Sequence, residues 1–424
     1  MKKPRPDKIF QNVDRLSVGL DFFGQRVEVG TLAWSNQERR AHFEYHPDFA
    51  ARGLAISPFK LPVGAGAKPA SYQPFGGLHG LFNDNLPDGW GRLLLDRRLQ
   101  KSGYDFRRLT PLDRLAFLGQ TGMGALRYLP KKSIARSGVN ASGGDADLDW
   151  FAAQAAAVQG DVDEADVDRL LEIQGGSAGA RPKIMIGLNR STGKISTDDG
   201  GGRPDGFDAW LLKFRSNVDP AEIGSEEYAY SIMARAAGVD MPPTKLIETK
   251  KGSYFAVQRF DRTANGSVHV QTASGLLEAD HRAPSIDYDT VLKVTRVLTR
   301  DERHVRQMFI RMIFNVLAHN RDDHAKNHAF LMTQDGAWHP TPAYDVTLSE
   351  GPGGEHSLAI GGEGKAPTRQ HIMTVAERAS IRKAEAEQLF EVVRNAVDRW
   401  PEHATQAGLP DKRIREIDNL LNKR

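Results

Sequence analysis

The segment His319-Asn320-Arg321-Asp322-Asp323-His324-Ala325-Lys326-Asn327 gathers carboxylates, imidazoles and amides directly behind a long apolar stretch. Asp322 and Asn327 stand five residues apart, the interval between Asp and Asn in the protein-kinase catalytic loop, H-R-D-x-x-x-x-N. In that chemistry the carboxylate accepts the proton of an attacking hydroxyl, and the amide oxygen offers Mg2+ a hard ligand without adding charge. A helix C-terminus capped by polar side chains gives the same spacing, so the pair alone does not decide. Downstream, HAFLMTQDGAWHPTPAYDV reads as a hairpin turning at Asp335-Gly336, whose second strand delivers Asp345 where a kinase places its second metal ligand. Val346-Thr347 follow, in place of the Phe-Gly usual in kinases, and a strand-end Asp in a turn is the plainer alternative.

Phosphate binding needs backbone N–H groups and cations upstream of this cluster. QGGSAGARPK, from Gln174 to Lys183, supplies glycines, a serine and two cations just before a strand. Such a loop can form an anion nest, although it matches neither the Walker loop nor G-x-G-x-x-G, and an ordinary surface turn has the same composition. Lys213, late in the next strand FDAWLLKF, has the position of a lysine reaching ATP phosphates. Its alternative is an edge strand, where a lysine costs little. Glu227, early in the following helix, is a partner for that lysine, with Glu226 competing. The segment Val257-Gln258-Arg259-Phe260-Asp261-Arg262 falls in order where an interlobe hinge would read adenine.

These residues require a frame. Residues 17–43 alternate and break at Phe23-Gly24-Gln25, which suggests a small β-rich module. A helix entered through Pro87-Asp88-Gly89 and a closing strand in GALRYLP would carry it to about residue 130. KKSIARSGVNASGGDAD is the best linker, 131–147. Leu148 to Gln174 reads as one or two helices, KIMIGL and AWLLKF as a hairpin with a long loop, and KLIET and YFAVQRF as further strands. EEYAYSIMARAAGV is a helix stopped by Gly238 and Pro242-Pro243. In RHVRQMFIRMIFNVLAHN the pairs Met308/Phe309, Met312/Ile313 and Val316/Leu317 recur every four residues, as in a buried helix. The expected organisation is α+β: an N-terminal module (1–130), a linker, a β-rich lobe with the phosphate loop (148–257) and a helical lobe with the catalytic loop (258–424).

Composition excludes several classes. With 424 residues and 40% hydrophobic content the chain can fill several cores. A net charge of +3 gives no large field for nucleic acid or anionic membranes, so direct nucleic-acid binding is not expected. The absence of cysteine removes disulfides and thiolate chemistry and fits the cytoplasm. No segment reads as a signal core or a membrane span.

In order, SAGARPK, WLLKF, VQRFDR, NRDDHAKNHAF and TPAYDV resemble the motif series of the HipA family of serine/threonine kinase toxins. FGQRVEVGTLAW, FNDNLPDGWGR and GALRYLP resemble that family's amino-terminal module, so the resemblance covers nearly all of residues 18–350. It implies a two-lobed protein-kinase-like fold using ATP and Mg2+, with Asp322 as general base and Asn327 and Asp345 as metal ligands. It implies a phosphate loop of Ser177, Ala178, Gly179, Ala180, Arg181 and Lys183, with Lys213 on the phosphates. Gln258, Arg259 and Phe260 would form the hinge, and His324 and Lys326 would join the nucleotide contacts. Members commonly silence themselves by phosphorylating a loop serine, since about −1.5 to −2 of added charge repels ATP phosphates. Ser177 is the candidate, although it stands one residue nearer the lysine than in the usual S-x-A-G-x-x-P-K. The family's partners are a small helix-turn-helix antitoxin and a protein substrate of the translation machinery, such as an aminoacyl-tRNA synthetase. Two other readings compete: a metal-dependent phosphohydrolase using His319, Asp322, Asp323, His324 and His328, and an inactive nucleotide-binding regulator.

Overall fold

The computed structural model describes residues 8, 10–87, 89–133, 147–160, 166–174, 179–197, 205–283 and 285–422. Two compact units emerge, one of Met1–Ala221 with Ile247–His269 and the other of Glu222–Leu246 with Val270–Arg424.

The first unit opens with strands β1 (Arg15–Phe22), β2 (Gln25–Ser35) and β3 (Arg40–Tyr45), followed by the short β4 (Lys68–Pro69) and β5 (Leu126–Leu129). They lie in the order β4-β3-β2-β1-β5. The alternation along β1 buries Leu16, Val18, Leu20 and Phe22 on one face. Phe23 and Gly24 both take positive φ (48° and 78°), the backbone of a two-residue turn whose twist suits the flanking strands. The helix Gly89–Lys101 and the capped helix Pro111–Leu118 follow β4, and β5 then pairs antiparallel with β1.

The second sheet contains β6 (Lys183–Asn189), β7 (Ile195–Thr197), β8 (Phe207–Lys213), β9 (Thr244–Glu248) and β10 (Ser253–Gln258), in the order β7-β6-β8-β10-β9. The expected hairpin of β6 and β8 is present, with β7 added from inside its long loop onto the outer edge of β6. Leu148 to Gln174 contains two helices, Leu148–Gln159 and Val167–Ile173. Their apolar faces (Leu148, Phe151, Leu170, Ile173) share one core with Ile184, Ile186, Leu188 and Leu212, and this core also includes Trp90 and Leu94 of the earlier helix. The small hairpin β11 (Arg262–Thr263) and β12 (Gly266–Ser267) comes after β10.

The second unit is mainly helical: Ile223–Ala236, Tyr288–Thr299, Glu302–Leu317, Arg369–Arg378, Lys383–Asp398, Trp400–Gln406 and Asp411–Leu421 are its longer helices. The apolar pairs of Glu302–Leu317 are all buried. A three-stranded sheet, β13 (His269–Thr272), β14 (Ala329–Met332) and β15 (Trp338–Pro340), follows in space order β13-β14-β15. Among the described residues no helix is long and apolar enough to cross a membrane.

Candidate active site

The helix Glu302–Leu317 ends in backbone bonds. His319 turns to φ +52°, its N–H reaches Val316 O at 3.4 Å, and the Asn320 N–H reaches Asn315 O at 2.9 Å. This is a Schellman closure, which satisfies the terminal carbonyls without side chains. Capping therefore does not account for the carboxylates that follow.

The loop beyond the helix is held by Asp323, which the sequence offered only as a ligand in the phosphohydrolase reading. Asp323 is fully buried, and its Oδ2 accepts from Tyr288 Oη (2.7 Å) and His356 Nδ1 (2.9 Å) while Oδ1 accepts the Ser357 N–H (2.8 Å). Tyr288 in turn accepts from Asn315 Nδ2 (2.9 Å), and Asn315 Oδ1 accepts from Asn320 Nδ2 (2.9 Å). Arg321 gives its guanidinium to Gly354 O at 2.8 Å, and its own carbonyl accepts from Ser357. A buried carboxylate with every oxygen engaged is a rigid post. Its partners lie more than thirty positions away in sequence, so local spacing carries no sign of it.

Asp322, the residue before it, faces outward with its side chain 58% exposed, and His324 Nε2 lies 3.8 Å from its Oδ1. A single 3-10 turn, Ala325–Asn327, then places Asn327 so that its Nδ2 donates to Asp322 O at 2.6 Å. With the amide nitrogen so used, the amide oxygen is the atom of this side chain that could serve a hard cation.

β14 and β15 pair about the turn at Asp335-Gly336, as the sequence suggested, with Gly336 at φ +85°. Asp345 is not on β15, however. The strand stops at Pro340, because Pro340 and Pro342 have no N–H to extend a ladder, and Asp345 follows in a left-handed turn at φ +55°. Tyr344, just before it, donates its hydroxyl to Lys326 O, and the Ala343 N–H reaches Asp240 O at 2.7 Å. The segment carrying Asp345 is thereby tied to the loop carrying Asn327. Two carboxamide or carboxylate oxygens on tethered backbone fit a magnesium ion's preference for hard donors.

The metal cluster required by the phosphohydrolase reading is not assembled. Among the described residues no group of three or more His, Asp or Glu is placed to hold a metal. Asp323 is committed to its three donors, and His328 is packed edge-on against Tyr288 at 5.5 Å. Burial, with Arg311 nearby, pushes the His328 imidazole down to about 3.

In the first unit, Lys213 lies on a central strand, opposite Lys183 of β6 on one side and Phe255 of β10 on the other. That position removes the edge-strand alternative. Both lysines are buried, with Lys213 Nζ 5.7 Å from the centre of the Phe255 ring. Ser177 and Ala178 lie outside the described residues. Gly179 takes φ +100°, and its carbonyl accepts the Trp90 N–H at 3.0 Å. Ala180 lies against Gly89. Arg181 donates to Asp219 Oδ1 at 3.1 Å. The hinge candidates end β10: the Arg259 N–H bonds Ala209 O at 2.9 Å, and its guanidinium grips Asp261. Asp261 is fully buried, which would raise its carboxyl, but Arg259 and Arg262 outweigh burial and hold it far below the usual range. It also accepts the Gly124 N–H at 2.8 Å. Gln258 and Phe260 flank this anchor.

In the second unit the helix Ile223–Ala236 carries both candidate acids, and both are buried. Glu226 Oε2 accepts from Arg413 Nη2 at 2.8 Å and Nε at 3.0 Å. Arg413 lies too far along the chain for its role to be read from sequence.

Comparison with known proteins adds the family. A family model for the HipA N-terminal domain matches residues 20–129, and one for the HipA-like C-terminal domain matches residues 175–400. A Sinorhizobium fredii protein named "Putative kinase Y4dM" is 26% identical over 152 residues, a match spanning 32% of this chain and 37% of that protein. The HipA toxin of Shewanella oneidensis, solved with HipB and operator DNA, superposes with a TM-score of 0.67 at 15% identity, covering 96% of this chain and 95% of that one. The fold is therefore of the expected α+β kind, sheet-rich in its N-terminal part and helical in its C-terminal part, and similar to that of the HipA toxin. Since the C-terminal match alone spans more than half of the sequence, the chain belongs to the HipA family.

Proposed function

We propose that this protein is an ATP- and Mg2+-dependent serine/threonine protein kinase of the toxin type. The observation that carries this reading is the loop after the helix Glu302–Leu317: an exposed Asp322 beside a fully buried, triply bonded Asp323, closed by Asn327. In the proposed reaction Asp322 Oδ accepts the proton of the substrate hydroxyl. Asn327 and Asp345 would hold magnesium, which would supply charge neutralisation on the phosphoryl group as it passes from ATP to that hydroxyl oxygen and ADP leaves. Lys213, oriented by Glu227, meets the phosphates, and the loop from Ser177 through Ala180, Arg181 and Lys183 cradles them. Gln258, Arg259 and Phe260 line the adenine side, and His324 and Lys326 add contacts from the catalytic loop. We place the lobe boundary near residue 257, with the N-terminal module ending near residue 130. We further assign to this chain a helix-turn-helix antitoxin partner, a substrate in the translation machinery such as an aminoacyl-tRNA synthetase, and a cytoplasmic location, with Ser177 the candidate for autophosphorylation.

The test is transfer of radiolabelled phosphate from ATP to protein by the wild type and by Asp322→Asn. Loss of transfer with ATP affinity retained within about threefold supports the base assignment. Release of phosphate from simple monoesters by a wild type that ignores ATP would replace the kinase reading with the phosphohydrolase.

A further inference from the structure

The helix Ile223–Ala236 is anchored on one face. Glu226 and Tyr230 are four positions apart and therefore share that face, whereas Glu227 lies about 100° round the helix. Glu226, only 2% exposed, takes both prongs of Arg413 from the last helix, Asp411–Leu421. Tyr230, fully buried, donates its hydroxyl to Ala318 O at 3.0 Å, the residue before the turn into the catalytic loop. The Tyr230 ring lies 5.2 Å from Trp400, whose Nε1 donates to Ile414 O at 3.2 Å, beside Arg413. The terminal helices thus close a ring: Glu226 to Arg413, Ile414 to Trp400, Trp400 to Tyr230, Tyr230 to the catalytic-loop entrance. Residues 401–421 lie beyond the segment that the HipA-like C-terminal domain matches.

We propose that Arg413 is a positioning residue that, by engaging Glu226, fixes the helix Ile223–Ala236 to the catalytic-loop entrance. The catalytic part of this assignment rests on the kinase reading. A buried carboxylate that loses the guanidinium fastening it is strongly disfavoured. In Arg413→Ala the helix Ile223–Ala236 therefore loosens, and neutralising Glu226 should reverse the loosening.

The experiment compares wild type, Arg413→Ala, Arg413→Lys and the double variant Glu226→Gln/Arg413→Ala by amide hydrogen exchange and by phosphotransfer kinetics. Expected for Arg413→Ala are faster exchange confined to Ile223–Ala236 and the catalytic-loop entrance, and turnover down about tenfold with KM for ATP within about threefold. The double variant should recover most of both losses, and Arg413→Lys, keeping the charge without the fork, should fall between. Unchanged exchange in Arg413→Ala, or a double variant no better than the single one, overturns the proposal. If Arg413→Ala does not fold, a folded double variant supports it and an unfolded one sinks it. A wild type that transfers no phosphate would end the kinase reading alone, because the exchange comparison still judges the clamp.

Discussion

Replacing Asp323 by Asn tests whether the catalytic loop is held from behind. The exchange is isosteric, so it leaves no cavity, but it turns one acceptor oxygen into a donor. With the new amide nitrogen toward Ser357, two N–H groups face each other where 2.8 Å now separates donor and acceptor. With it toward Tyr288 and His356, the hydroxyl must reverse while still receiving Asn315 Nδ2, and His356 must change tautomer. Hydrogen bonds to a charged acceptor are worth about 1.5–3 kcal/mol each, and a buried unsatisfied group costs about 1–3 kcal/mol. Either arrangement costs roughly 3 kcal/mol, concentrated in the loop that carries Asp322 and Asn327. At about 1.4 kcal/mol per decade, turnover should fall by about 100-fold. Initial-rate phosphotransfer to a generic protein acceptor measures it, with calorimetric ATP affinity as the control. Wild-type turnover in Asp323→Asn would refute the idea that this buried acid holds the site.

Two further expectations concern stability and the phosphate loop. Burial holds His79 and His269 neutral, pushed down to about 4, and His328 down to about 3. Unfolding returns each to its ordinary value near 6.5, so the unfolded chain binds more protons between those limits. Stability should therefore fall as pH drops from about 6.5 toward 4, and a melting temperature that is level or rising between pH 7 and pH 5 would contradict it. A Cβ on Gly89 would lie 2.5 Å from Gly179 O and 2.7 Å from Ala180 Cα, at a residue with φ +41°. Gly89→Ala should destabilise the first unit by roughly 1–3 kcal/mol and weaken ATP binding, and unchanged melting and affinity would dismiss that packing.

Much of the architecture was legible because local rules govern it. The alternation of β1, the turn at Phe23-Gly24 and the apolar pairs of Glu302–Leu317 each follow from a period of two or of about 3.6 residues, which the order of side chains carries directly. The motif order likewise singled out Asp322, Asn327, Lys213 and Asp345 as candidates. What spacing could not supply was which neighbouring acid does what. Asp322 and Asp323 are chemically identical and adjacent, as are Glu226 and Glu227. Distant partners fasten Asp323 (His356 and Tyr288) and Glu226 (Arg413). The same holds for Lys213, whose place in the middle of a sheet depends on strands β6 and β10 arriving on both sides. Thus the sequence by itself determined the elements and the candidate chemistry. Only the tertiary structure decided that Asp323 is a buried post while Asp322 faces outward, because hydrogen bonds between residues far apart in the chain leave no periodic trace in it.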